Sequence, residues 1–559
     1  MTAKRREFIK TMGAGVAGLS LISPLLTSCN SPNNSTDDDN EEPILKVGDE
    51  IAIAETTYGK VQGFILRDIY NFRGIAYGAD TSGSNRFMPP QKPASWTEIR
   101  PALWWGNSAP QVMEERYANQ YTAFSDHWNY DEVSEDCLKI NVWTPNIADN
   151  SKRPVLFWIH GGGFTNGNGI EQDGYNGENL SRSGDIVFCS VNHRLGPLGF
   201  SNFAKVGGEK YSDSGNVGML DLVAALEWVR DNISNFGGDP SNVTIMGQSG
   251  GGAKVCTLTA MPKAKGLFHK AVVLSGASLQ SAEKEASEKL GGYVLNEAGI
   301  SASEIDLLQS ISWKDYLAIA SKAMVKNRQD SGLSAGGGFR PHVDGEIIPQ
   351  HPYYPEASPT ANDIPMIICS TFNEQSPSRF DSKLESITLD EVKKQVMQRA
   401  GFGPGFSEKA SDVVEAYANV FPDKKPVEIW SMISSNRKNS VDLANVKSNQ
   451  SAPVYIAWFG FQPPLFDNRM RAFHCIDICF WFANTDLMYT HTGGGSSPRS
   501  LASKMSASLV QFMKEGNPNG GGLPNWPIYS MVKGETMILD RTSVVENDPD
   551  RDARKMLST

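Results

Sequence analysis

Apolar positions along this chain fall into two patterns. Short runs with almost no polar interruption occur at Pro154 to Ile159, Asp185 to Asn192, Val243 to Met246, Lys270 to Ser275, Pro365 to Ser370 and Val454 to Phe459. Runs of this length, bounded by glycine, proline or polar residues, predict strands buried on both faces. Between them, Met219 to Phe236 carries apolar residues at spacings of three and four, which predicts a helix closed by Gly237-Gly238-Asp239-Pro240. Ile51 to Phe64 alternates and turns near Tyr58-Gly59, the pattern of a hairpin. The stretch from about 281 to 326 is helix-rich and reads as an insertion above the sheet. Strands alternating with helices predict an α/β chain built on a large, mostly parallel twisted sheet flanked by helices.

The first forty residues follow neither pattern. Lys4-Arg5-Arg6-Glu7-Phe8-Ile9-Lys10 precedes an apolar, glycine-rich run from Met12 to Leu26, which ends in Leu26-Thr27-Ser28-Cys29. Residues 1–28 resemble a twin-arginine lipoprotein signal, with cleavage before Cys29 and lipidation of that cysteine. A run this short that contains a proline is a poor transmembrane span. Residues 29–46, rich in Ser, Asn, Asp and Glu to Glu42, read as a disordered tether. Residues 47–559 then form one domain. The expected location is the bacterial cell envelope, facing the periplasm or the outside, with membrane attachment only through a lipid on Cys29. A chain exported already folded need not pair its cysteines.

Charge narrows the partners. The formal net charge of −11 argues against nucleic acid or anionic lipid as a partner. Apolar residues at 40% and charged residues at 21% fit a soluble globular body. The seven cysteines form no C-x-x-C pair, and no Cys/His cluster has zinc spacing, so neither a metal nor another cofactor is expected.

The candidate chemistry sits where strands end. Val243 to Met246 runs directly into Gly247-Gln248-Ser249-Gly250-Gly251, a G-x-S-x-G followed by a stretch that can start a helix. This is the pattern of a nucleophile elbow, a sharp strand-to-helix turn that lifts one serine above the sheet. Gly332-Leu333-Ser334-Ala335-Gly336 matches the same letters but follows a polar run and leads into more glycine, so context selects Ser249. The Pro154 to Ile159 strand ends in His160-Gly161-Gly162-Gly163-Phe164. Three glycines after a strand cost backbone entropy, and they make sense where backbone N–H groups must approach a ligand oxygen. Glu374 lies just past the 365–370 strand, and His474 lies in the loop after the 454–459 strand. Asp477, three residues after His474, is a rival acid that would suit the start of a helix.

Further motifs extend over most of the chain. They include residues 72–77 (Phe-Arg-Gly-Ile-Ala-Tyr), Glu135 to Pro145, Val191 to Phe200, Asn235 to Pro240, Gly266 to Lys270 and Phe339 to Gly345. With the elbow and the glycine loop, they resemble the type B carboxylesterase family, the cholinesterase-like branch of the α/β-hydrolases. The resemblance runs from about Thr57 to Asp548. It implies an α/β-hydrolase fold and hydrolysis of small-molecule carboxylic esters through an acyl-enzyme. It also implies a triad of Ser249, Glu374 and His474, with an oxyanion hole from the N–H groups of Gly162, Gly163 and Gly250. By the same resemblance His160 supports the oxyanion loop, and His193, His269 and His342 are structural.

The chain departs from the family at several points. The family usually has Glu where Gln248 stands and Ala where Gly250 stands. It also pairs the cysteine at Cys137 with an upstream partner, and residues 50–136 contain none, so a free thiol is expected. Trp128 lies near the position of a cation-binding tryptophan in cholinesterases, but its spacing to Cys137 differs by one, and it reads as pocket or core. A non-catalytic binding or adhesion module on the same scaffold is the alternative; such modules typically lack the nucleophile that this chain retains. With His474 as base, the rate is expected to fall at an apparent pKa near ~6.5 unless the site shifts it.

Overall fold

The protein is described here from a computed structural model, which covers residues 43–112, 132–331, 338–398 and 406–557. Cys29, the signal segment, Trp128 and Ser334 lie outside the described residues.

Fifteen strands are described, in two sheets. In chain order they are β1 (Leu45–Lys46), β2 (Ile53–Thr56), β3 (Gly59–Gln62), β4 (Phe64–Leu66), β5 (Ile69–Ala76), β6 (Arg100–Pro101), β7 (Lys139–Thr144), β8 (Arg153–Ile159), β9 (Val187–Val191), β10 (Gly238–Gln248), β11 (Lys270–Leu274), β12 (Met366–Thr371), β13 (Val454–Phe459), β14 (Glu535–Leu539) and β15 (Val544–Asn547). The large sheet has the order β1-β4-β5-β7-β9-β8-β10-β11-β12-β13-β14-β15. Its strands from β9 to β14 run parallel, and antiparallel strands close both edges. The small sheet holds the predicted hairpin, β2 against β3, joined by β6.

Burial explains why the central strands are continuous apolar runs. In β8, Val155, Phe157 and Ile159 enter one hydrophobic core while Leu156 and Trp158 enter another on the opposite face. In β10, Ile245 and Met246 divide in the same way. Both faces of these apolar runs are therefore covered, and only the polar start of β10, with Ser241 exposed, reaches solvent. The predicted helix over 219–236 is an α-helix, Val217–Asn232, that tightens into a 3₁₀ turn, Ile233–Phe236, before the left-handed Gly237.

Three expectations need adjusting. The strand predicted from Asp185 begins at Val187, because Asp185 adopts a left-handed conformation (φ 50°) that ends the helix Glu178–Gly184. Leu45 and Lys46, the last residues of the stretch read as a tether, pair with Leu66 and Ile65. Helices Leu389–Met397, Phe406–Val420, Pro426–Ile433 and Arg437–Lys447, together with Ser496–Glu515, were not anticipated from the apolar pattern.

Strand order places the candidate chemistry. β9 lies on one side of β8 and β10 on the other, so the winding reverses between β8 and β10. Open α/β sheets bind ligands in the crevice outside the carboxyl ends of the strands at such a reversal. Register brings Ile159 of β8 beside Gly247 of β10, and Thr371 of β12 beside Phe459 of β13. The glycine loop, the elbow and the loops carrying Glu374 and His474 therefore all leave the same edge of the sheet.

Candidate active site

Ser249 stands between β10 and the helix Gly250–Leu258, with φ 56° and ψ −123°. A positive φ is disfavoured for a residue with a Cβ, and such strain persists only where the surroundings over-determine it. Here the Ser249 N–H donates to Leu274 O of β11 (2.8 Å), and the Ser249 carbonyl accepts from Ala253 N–H (3.1 Å). The turn is tight enough that a Cβ on Gly251 would strike the Ile159 carbonyl at the end of β8. Glycine there lets the new helix press against the neighbouring strand end.

The loop after β8 carries the candidate oxyanion donors. Gly162 (φ 80°) and Gly163 (φ 63°) are in left-handed conformations and exposed, with His160 and Gly161 buried beneath them. The Gly162 carbonyl accepts from Thr165 N–H (3.2 Å) and Asn166 N–H (3.0 Å), folding the loop back on itself. The buried Gln111 side chain clamps the far end, accepting from Gly167 N–H (2.9 Å) and donating to Gly167 O (3.0 Å). Gly250 lies directly under this loop, and a Cβ there would overlap the Gly163 backbone. The glycine that replaces the family's usual alanine therefore lets the loop settle closer to the elbow.

The candidate acid and base approach from the other side. Glu374 follows β12, and its two oxygens do different work. Oε1 accepts from Thr371 N–H (3.1 Å), and Oε2 accepts from His474 Nδ1–H in a short hydrogen bond. The two loops are also joined through their backbones, His474 N–H to Glu374 O (3.0 Å) and Asn373 N–H to Ala472 O (3.1 Å). Both side chains are buried. Burial disfavours a charge on His474, but the Cys475 sulfur and the Glu374 carboxylate outweigh it and hold the imidazole well above its ordinary pKa. The sulfur acts in this way only as thiolate, and burial pushes the Cys475 thiol up, so Glu374 carries the effect near neutrality.

Asp477 does not compete for the base. It occupies the cap position of the short helix Ile478–Trp481, yet its side chain makes no capping bond and accepts from Trp481 Nε1–H at 3.3 Å. Burial, with the nearby Glu374 charge adding to it, pushes its carboxyl up to about 7.

The junction between the two sides holds a contact that sequence reasoning missed. His474 Nε2, the nitrogen that faces the elbow, lies 3.0 Å from the amide nitrogen of Gln248, which is fully buried. With Nδ1–H committed to Glu374, Nε2 presents a lone pair and the glutamine amide donates to it. The Ser249 hydroxyl makes no hydrogen bond among the described residues. Ser249 follows Gln248 directly in sequence, and in this structure it is Gln248 that bonds the candidate base. Gln248 Oε1 has no hydrogen-bond partner. The one available signal was the departure from glutamate at this position.

The remaining predicted structural residues are tied into the frame. His160 Nδ1 is 2.9 Å from Gly161 O, and its ring stacks on His193 at 5.1 Å. His269 Nδ1 accepts from Val243 N–H (3.1 Å), and His342 Nε2 is 2.9 Å from the Asn202 amide nitrogen. No disulfide joins the six described cysteines, Cys137 included. Among the described residues no cluster of His, Cys, Asp and Glu could hold a metal ion.

Comparison with known proteins places this geometry in context. Residues 50–555 match the profile described as the Carboxylesterase family. The chain is 33% identical over 518 residues to a para-nitrobenzyl esterase of Bacillus subtilis, covering 90% of this chain and 98% of that protein. It is 32% identical over 488 residues to a phenmedipham hydrolase of Pseudarthrobacter oxydans, covering 85% and 92%. Among solved structures it is similar to an esterase of Clostridium hathewayi described as hydrolysing aliphatic aromatic polyesters, with TM-score 0.80, 31% identity and coverage of 91% and 98%.

Proposed function

The chain belongs to the carboxylesterase family and is a serine carboxylesterase of the α/β-hydrolase fold, and from that premise we propose that Ser249, His474 and Glu374 carry out the hydrolysis. Ser249 Oγ attacks the ester carbonyl carbon while His474 Nε2 takes the hydroxyl proton. Glu374 keeps the proton on Nδ1 and stabilises the imidazolium that forms. The oxyanion of the tetrahedral intermediate is received by the N–H groups of Gly162, Gly163 and Gly250, which ordered glycine backbone can present without reorganising. His474 then protonates the leaving alkoxide, the carbon–oxygen bond breaks, and water enters by the same proton relay to release the acid and regenerate Ser249.

The observation that carries this assignment is the Glu374–His474 hydrogen bond, which leaves the Nε2 lone pair directed at the elbow. For the first step the Gln248 amide must yield that lone pair to the serine hydroxyl. Catalytic hydrogen bonds of this kind often tighten only once substrate is bound. In a p-nitrophenyl ester assay, Ser249→Ala is expected to lower kcat by about 10⁵–10⁶-fold, the scale seen when a triad nucleophile is removed. Retention of more than a hundredth of the activity by a cleanly folded Ser249→Ala protein would falsify the assignment.

We further propose that the enzyme works at the cell envelope, tethered through a lipid on Cys29. Support comes from the paired Arg5-Arg6, the apolar run to Leu26 and the Leu26 to Cys29 motif. Cys29→Ala should move activity from the membrane fraction to the soluble fraction, and an unchanged partition would rule out the anchor.

A further inference from the structure

One buried ionisable side chain has no part in this mechanism. Lys254 lies five residues after Ser249, in the middle of the elbow helix Gly250–Leu258, and has no exposed surface. Its Nζ donates to His160 O at 3.2 Å, the carbonyl of the peptide that leads into the oxyanion glycines. The same Nζ lies 5.8 Å from the centre of the Phe164 ring, which follows those glycines. Lys254 thus touches the oxyanion loop at its entry and at its exit. A lysine is rarely buried to this degree without a carboxylate bonded to it, and a hydrocarbon side chain would fill the space at less cost.

We propose that Lys254 is a positioning residue for the esterase reaction: threaded beneath the oxyanion loop, its amino group fixes the loop through the His160 carbonyl and its ammonium form adds positive charge behind the glycine N–H groups. The inference rests on the oxyanion reading of Gly162, Gly163 and Gly250 given above.

The groups facing Lys254 define how that charge behaves. Burial disfavours the ammonium, and the Glu171 carboxylate opposes burial, leaving the lysine pulled down to about 7. Glu171 is itself buried and accepts from Tyr175 O–H at 2.8 Å. His160, at the end of β8, and His193, after β9, also face it. Burial, with Lys254 adding to it, holds both well below the ordinary histidine pKa, so they stay neutral across the working range. The helix Gly250–Leu258 brings no other charged group. Lys254 therefore carries its charge on the acid side of about pH 7 and loses it on the alkaline side, while the neutral amine can still donate to His160 O. The loop stays in place and only the charge is withdrawn.

The expected signature is a partial alkaline limb. Taken relative to the rise that His474 sets as it loses its proton, wild-type kcat for p-nitrophenyl acetate should fall about three- to tenfold above neutrality to a lower, non-zero plateau, because the charge acts behind the direct donors, each of which is worth roughly 10²–10³-fold. Lys254→Met should lose that limb and run near the lower plateau throughout, with KM within about twofold of wild type, since the change is confined to transition-state charge. Lys254→Arg, which cannot lose its proton in this range, should hold the upper level through the alkaline range. A wild-type profile without the limb overturns the proposal. So does a Met variant that keeps the limb, or an Arg variant that does not restore the upper level. If the Met variant is insoluble, the wild-type profile and the Arg variant decide the question alone. Ser249→Ala separates the two readings: activity in that variant sinks the triad, whereas an inactive Ser249→Ala protein beside an unresponsive limb sinks only the role of Lys254.

Discussion

The proposed active centre joins two regions that are built differently. The nucleophile side, β8 with its glycine loop and β10 with the elbow, is held by backbone contacts. Gly251 presses on the Ile159 carbonyl, Gly250 on Gly163, and Ser249 hangs from Leu274 O. Little rotamer freedom is involved, because the parts that meet are main chain. The proton-transfer side is held by side chains from two loops, Thr371 N–H and His474 Nδ1–H converging on Glu374, with two backbone bonds keeping the loops in register. The first region joins two short segments, each contiguous in sequence, that meet main chain to main chain. The second spans one hundred residues between acid and base. The comparison teaches that strain can be stored where chain is contiguous and glycine-rich, whereas the tunable chemistry, protonation and tautomer, is assembled from a distance.

The largest expected effect that tests this division is at Glu374. Glu374→Gln keeps the size of the side chain, but an amide nitrogen placed against Nδ1 would donate, moving the imidazole proton to Nε2 and removing the base. The equivalent exchange in a triad costs about 10⁴-fold in kcat. That loss should appear with KM and thermal midpoint little changed, because Thr371 N–H can still bond the amide oxygen. A loss below about tenfold would show that something other than this hydrogen bond orients His474, and the proposed division between the two sides would break.

Legibility in the sequence follows the same line. β8 and β13 were readable because both faces are buried and no polar alternation interrupts them. The elbow was readable because strand, serine and glycines are consecutive. β14, Glu535–Leu539, is equally buried but begins with Glu and Thr and has no chemistry beside it, so its five residues did not stand out. The helices between Leu389 and Ile433 bury one face against Trp458 and Ile538, a docking that depends on distant strands. Gln248 and His474 are 226 residues apart, and nothing local announces that an amide will sit on the base. Lys254 carries no signal in the sequence reading, and only the position of the His160 carbonyl gives it meaning.

Gln248 is where the two regions meet, and it should give the smallest and most informative effect. In the resting enzyme its amide N–H bonds the neutral form of His474 at Nε2. A hydrogen bond to the neutral form disfavours the charged one, so this contact opposes the upward pull of Glu374. Since the net pull on His474 is upward, the acid limb of kcat/KM should lie above the ordinary histidine value, and activity should be lost as pH falls through that raised pKa. Gln248→Leu removes the donor. A net hydrogen bond of about 1 kcal/mol then allows the limb to move further up by something under one pH unit. The same change frees Nε2 for the Ser249 hydroxyl, so the rate at the optimum should rise about two- to fivefold, again the worth of one modest hydrogen bond. Gln248→Glu should raise the limb more than Leu does, because a carboxylate favours the imidazolium directly. A downward shift in the Leu variant, or a hundredfold loss at the optimum, would mean that the amide turns its unbonded Oε1 to the imidazolium during the reaction. Gln248 would then belong to the proton-transfer machinery, and the boundary between the two sides would run through its side chain.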